Sequence, residues 1–162
     1  MSRNFDGDGY ADWDPLAEGR WNARVKAVMG GRPALASFRE LEAALLALPA
    51  PRLIEGEICT EEGDVCAVGA FALHKRVQEG WGDRKTVLVD MRRLYVGAGA
   101  MTTAGLGEDS GMTFTLAWLV GEMNDSDYPR WTPEERYAAM LAWTRENIAR
   151  LEAKHAQKGA TA

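Results

Sequence analysis

The chain has little of what usually announces chemistry. It carries only two cysteines, Cys59 and Cys66, too few for a disulfide scaffold, and a reducing compartment keeps such a pair as thiols. No apolar run approaches the roughly 18 uncharged residues that a membrane span needs. The opening "MSRNFDGDGY" also lacks the apolar core of a secretory signal, so the expected compartment is the cytoplasm, in a bacterial host, with virion association left open. There is no internal repeat and no glycine-rich phosphate loop. Carboxylates are missing altogether between positions 20 and 39, where Arg20, Arg24, Lys26, Arg32 and Arg39 fall. Just before them, residues 1–19 hold Asp6, Asp8, Asp12, Asp14 and Glu18 against Arg3.

What is present is an ordinary globular composition. At 162 residues, with 46% apolar and 27% charged side chains, the chain is long enough for one domain with its own core and too apolar to be disordered throughout. A net charge of −5 favours solubility and opposes a surface wholly given to nucleic acid.

Helical periodicity dominates. "LAEGRWNARVKAVMGG" repeats apolar residues at Trp21, Val25 and Val28 and stops at Gly30-Gly31. Pro33 then opens a helix whose stripe is Phe38, Leu41, Leu45 and Leu48. Between Leu53 and Val68 the period changes, and "TEEGD" reads as the loop of a short hairpin. "AVGAFALHKRV" follows, its small residues suited to a central, closely packed helix. Residues 78–111 are rich in glycine and read as a long connection with one short helix or strand inside. "TFTLAWLVGEM" is apolar almost all round and predicts a buried helix. "TPEE" places Thr132 as N-cap, Pro133 in the first turn and Glu135 three residues on, opening a helix with Tyr137, Met140, Leu141, Ile148 and Leu151 on one face.

The expected fold class is therefore mainly α, within α+β: a compact domain of about five helices with one small β-hairpin near 53–68. Residues 1–19 form an acidic arm, residues 20–151 the single domain, and residues 152–162 a flexible tail.

An ordered series of short segments carries a resemblance. It runs from "MSR" through Tyr10, Asp12 and Trp13, "RW" at 20–21 and "FRELEAALLALP" to "RLI" at 52–54 and "GDVCAVGA" at 63–70, closing with "MND" at 123–125 and "TPEERYAAMLAW" at 132–143. In this series the chain resembles a family of bacterial and prophage-encoded, phage-related proteins. The resemblance implies genomic context and brings no catalytic residues with it.

Several candidates for chemistry remain. "NFDGDGYADWDP" places Asn4, Asp6, Asp8 and Asp12 near the ligand positions of a calcium loop, but Pro15 stands where the bidentate carboxylate belongs, and a solvated arm with Trp13 docked on the body is the simpler expectation. Cys66 precedes a helix that would favour a thiolate, yet His74 is eight residues away, beyond reach on one helix. Cys59, Cys66 and His74 offer no recognised zinc spacing, and no cofactor is expected. Asn124 and Asp125 read as a helix cap; Glu122, Asp125 and Asp127 form the alternative carboxylate cluster. Trp143 lies off the last helix's stripe and points to a partner-facing edge.

The function expected from these features is that of a non-catalytic phage or prophage accessory protein acting by protein–protein binding, as an adaptor or host-factor modulator. One alternative is a nucleic-acid-associated protein using Arg20, Arg24, Lys26, Arg32 and Arg39. Another is a small hydrolase or transferase using the carboxylates near Asp125. The partner and the oligomeric state are not written in the sequence.

Overall fold

The computed structural model describes residues 15–95, 100–126 and 131–160. The arm that carries Asn4, Asp6, Asp8, Asp12 and Trp13 lies outside the described residues, as does Asp127. Among the described residues seven helices run in order: α1 (Pro15–Val28), α2 (Arg32–Leu46), α3 (Ala67–Gln78), α4 (Arg84–Tyr95), α5 (Ala100–Asp109), α6 (Phe114–Asn124) and α7 (Pro133–Ala160).

The centre is α3. Every residue from Ala67 to Leu73 is buried, which a helix reaches only when neighbours cover it on all sides. α2 lies on it with Phe38, Leu41 and Leu45 fully buried, and α5 and α6 cover other faces. Gly69 shows how closely the chain approaches, because a Cβ there would stand 2.3 Å from the carbonyl oxygen of Ile58. α2 also packs along α7, where Trp143 meets Phe38 edge-on at 5.3 Å.

The described part of the glycine-rich stretch holds two helices, α4 and α5, where one short element was expected. α4 buries Val87 and Met91, one turn apart, and the Asp83 carboxylate accepts from the Thr86 amide at 2.8 Å to cap its start. In α5, Gly107 is a contact rather than a break: a Cβ there would come within 2.4 Å of Ala117 Cβ on α6. Glycine here lets two helices touch, and a periodicity argument reads the same glycine as a loop.

The expected hairpin is not formed. Among the described residues its β content is one antiparallel bridge between Cys59 and Val65. The turn within it is real, with Thr60 N bonded to Asp64 O at 2.9 Å and Gly63 at φ +95°. Ile58 and Cys59 are both buried, as are Val65 and Cys66, so the alternation that one-sided strands need is missing. The entering chain divides its bonds between the returning chain, where Ile54 N donates to Val65 O at 3.1 Å, and helices, where Leu53 N donates to Pro133 O at 3.0 Å and Ile54 O accepts from the Asn124 side chain at 2.8 Å.

α7 also differs from expectation, continuing to Ala160 where a loose tail from 152 was anticipated. Its later turns are engaged by α1. Arg150 donates to Met29 O at 3.0 Å and Lys154 to Gly30 O at 3.1 Å, so two cations satisfy carbonyls at the C-terminal end of α1. α1 is otherwise seated on α6, with Trp21 edge-on to Trp118 at 5.1 Å.

Candidate functional site

The polar residues of the "RLI", "VCA", "MND" and "TPEER" segments meet in one buried junction. Asn124, fully buried at the end of α6, donates through Nδ2 to Ile54 O at 2.8 Å and to Asp125 Oδ1 at 2.7 Å, while its Oδ1 accepts from Ala67 N at 3.1 Å. The last bond caps the first turn of α3. Arg136, in the first turns of α7 and 4% exposed, donates from Nε to Asn124 O at 2.9 Å, from Nη1 to Leu53 O at 3.3 Å and from Nη2 to Glu55 Oε2 at 2.6 Å. Asp125 Oδ1 also accepts from Gly56 N at 3.1 Å. The capping reading of Asn124 and Asp125 thus holds, since Asp125 is the C-cap of α6, but Asn124 also holds α3 and the 53–56 chain. Arg136 had no signal of its own beyond its place in the "TPEER" segment.

This junction organises the fold, and its two central side chains, Asn124 and Arg136, are withdrawn from solvent. Of the candidate carboxylates that the structure describes, Glu122 is exposed and Asp125 accepts from Gly56 and Asn124. Cys66 is the N-cap of α3, its Sγ accepting from Gly69 N at 3.3 Å, and burial above all pushes its thiol up to about 12. Burial likewise raises Cys59. Both stay protonated at neutral pH, and His74 is bonded to Gln78 at 2.8 Å. Among the described residues no three His, Cys, Asp or Glu side chains gather as a metal set.

The basic segment is divided. Arg20 and Arg24 are one turn apart on α1, whereas Lys26, two residues further on, lies almost opposite Arg24 on that helix. Arg39 is held by Glu152 on α7 at 2.7 Å, and Arg32 is exposed at the start of α2. Trp143, expected at a partner-facing edge, is half-buried in the α2–α7 packing, because α2 widens the buried face of α7 beyond its apolar stripe.

The feature open to a partner lies elsewhere, between the end of α3 and the outer face of α4. After α3 the chain reverses at Gly80, φ +81°, and Trp81 N returns to Arg76 O at 3.1 Å. The Trp81 ring thereby comes over the Arg76 guanidinium, 5.1 Å from ring centroid to Cζ, and the Tyr95 ring lies at 5.8 Å with its hydroxyl 3.4 Å from Nη2. Arg76, Trp81, Val87, Asp90, Arg93 and Leu94 enclose a groove of about 290 Å³. A second, shallower concavity of about 440 Å³, lined by Glu61, Val89, Arg92 and Arg93, adjoins it across Arg93. Trp81 and Leu94 are each 65% exposed. The sequence left this face unread because it falls inside the glycine-rich connection; the signal available was "MRRLY", an apolar and basic turn.

Fold and geometry together define a mainly helical domain with a buried asparagine–arginine junction and an apolar, arginine-edged groove. No protein-family model, curated protein or solved structure matches the chain. No described helix is long and apolar enough to cross a membrane.

Proposed function

We propose that the protein is a non-catalytic protein-binding module whose docking face is the α3–α4 groove, in keeping with the accessory role expected from the prophage-encoded family it resembles. One observation carries this. Of the large apolar side chains exposed on the described surface, Trp81 and Leu94 line this one groove, whereas Val89 lines the adjoining concavity and Leu16 and Leu46 belong to other helices. An exposed tryptophan backed by an ordered arginine and a tyrosine is the chemistry of an interface anchor, since Trp, Tyr and Arg dominate binding hot spots. Scattered apolar residues need no explanation, but a patch around a concavity does. The sealed, protonated thiols and the internally bonded Asn124 and Asp125 turn the candidate reactive groups inward.

The experiment is comparative capture. The intact chain, Trp81→Ala/Leu94→Ala and an Arg24→Glu control are immobilised in parallel and exposed to extract of the cells that carry the gene. A protein retained by the intact chain and the control, and lost from the groove variant, is the expected result. If nothing distinguishes the groove variant from the control, the face is not a docking site.

A further inference from the structure

Resting on that docking face, the geometry points to its occupant: an extended acidic segment of a partner protein, which sets one large apolar side chain between Trp81 and Leu94 and lays carboxylates against Arg76 and the Arg92–Arg93 pair.

Arg76 carries the first step. An arginine usually meets a carboxylate, yet among the described residues none lies in ion-pair range of Arg76; two aromatic rings and the Tyr95 hydroxyl hold it instead. Its guanidinium has five N–H donors in a fixed fork, and Tyr95 takes only one contact. The side chain is thus ordered before binding, with donors to spare at the edge of an apolar groove. A bidentate carboxylate fits such a fork, and little conformational entropy remains to be lost when it arrives.

The charge pattern carries the second. The two concavities share Arg93, and Arg92 lines the outer one, so three arginines follow the path from Trp81 to Val89. Arg93 is tied only loosely, at 3.8 Å, to Asp90. The three arginines outnumber Asp90 and Glu61, so on a chain whose net charge is −5 the two concavities carry a slight excess of cations, which favours acidic partners. Cations spread over two concavities call for several carboxylates along an extended chain, not for one terminal carboxylate. Asp90 and Glu61 also line the path, and they decide against a nucleic acid strand. A phosphate backbone brings charge at every step and would be repelled there, while a peptide can place an uncharged residue opposite each carboxylate.

The test uses the full chain and four fluorescent probes at low salt, read by anisotropy: an end-blocked peptide of glutamates around a central leucine, the same peptide with glutamines, the same with serine for leucine, and oligothymidylate. The glutamate–leucine peptide is expected to bind, weakening about tenfold or more with glutamines and with rising salt. Arg76→Gln should weaken it similarly, and the exposed Arg93→Gln, which leaves the α3–α4 packing intact, should do so too; melting curves identify any variant that has lost its fold. Equal binding of the glutamine peptide, preference for oligothymidylate, or indifference to both arginine variants overturns the inference. If none of the peptides binds while Trp81→Ala/Leu94→Ala still loses a captured protein, the acidic occupant is wrong and the docking face stands. If that variant loses nothing, the docking face itself falls.

Discussion

Arg136 Nε donates to the carbonyl oxygen of Asn124 at 2.9 Å, so a cation from the start of α7 closes the C-terminal end of α6. The same Asn124 closes the start of α3 through Ala67 N. Three helices and the chain at 53–56 are thereby tied to two side chains, both withdrawn from water. The contribution of such a junction is asymmetric: intact, it gains only modestly over hydration, but losing one member strands the others without partners.

Arg136→Met should therefore destabilise the fold by about 3 kcal/mol. The cost comes mainly from the Asn124 and Leu53 carbonyls, because Glu55 is 48% exposed and can turn to water. Arg39→Ala, which breaks a pair exposed on both sides with Glu152, should change stability by less than about 1 kcal/mol. Urea unfolding of the two variants under one buffer separates the cases.

Asn124→Asp replaces a donor with an oxygen that faces Ile54 O. We expect a loss of about 3 kcal/mol at neutral pH. The new carboxyl regains the donor when protonated, so its folded-state pKa is raised and the fold holds that proton more tightly than the unfolded chain. The deficit against the wild type should shrink as pH is lowered, and denaturation midpoints at several pH values measure it.

Gly69→Ala and Gly107→Ala each gain helix propensity and should nonetheless destabilise, by about 1–3 kcal/mol. The first drives a methyl into the Ile58 carbonyl at 2.3 Å and the second into Ala117 Cβ at 2.4 Å. Gly105→Ala on the same helix as Gly107 meets nothing within 4 Å and serves as the control. Thermal melting of the three variants reads the difference.

Thr132→Ala removes one half of a reciprocal cap, in which Glu135 N donates to Thr132 Oγ1 at 3.2 Å and Thr132 N to Glu135 Oε2 at 2.8 Å. A loss of about 1 kcal/mol is expected, with helix content otherwise unchanged by circular dichroism.

The Cys66 thiol rises from 9.0 to about 12 on folding, chiefly through burial. A raised pKa means that the folded chain keeps a proton the unfolded chain gives up. Stability is therefore complete below about pH 9 and declines as pH climbs toward 12. Cys66→Ser keeps a capping oxygen and should make that alkaline decline shallower, with Cys59 and Lys75, also raised on folding, contributing to what remains. Thiol-directed reagents at neutral pH should label the wild type only as fast as it opens.

Where an element declares itself locally, the sequence was sufficient. The capping pair at Thr132 and Glu135, Pro33 at the start of α2, the Phe38–Leu45 stripe, the small residues of α3 and the all-round apolarity of α6 each follow from local residue type and spacing, because a helix positions its neighbours by its own geometry. Those signals gave a mainly helical chain.

Three outcomes needed contacts between distant residues. Gly107 is a loop former in isolation and a helix contact only because Ala117 stands opposite. The residues from Leu53 to Val65 have strand-like composition, but Asn124 takes Ile54 O and Pro133 takes Leu53 N, two backbone groups that a longer ladder would have used. Arg76 and Trp81 straddle the end of α3 and become neighbours only through the reversal at Gly80. The sequence on its own determined α1, α2, α3, α6 and the start of α7, since their caps and stripes are set within a few residues; tertiary structure decided that the glycine-bearing α5 coils and which polar and aromatic groups meet, since both depend on how one element arrives at another.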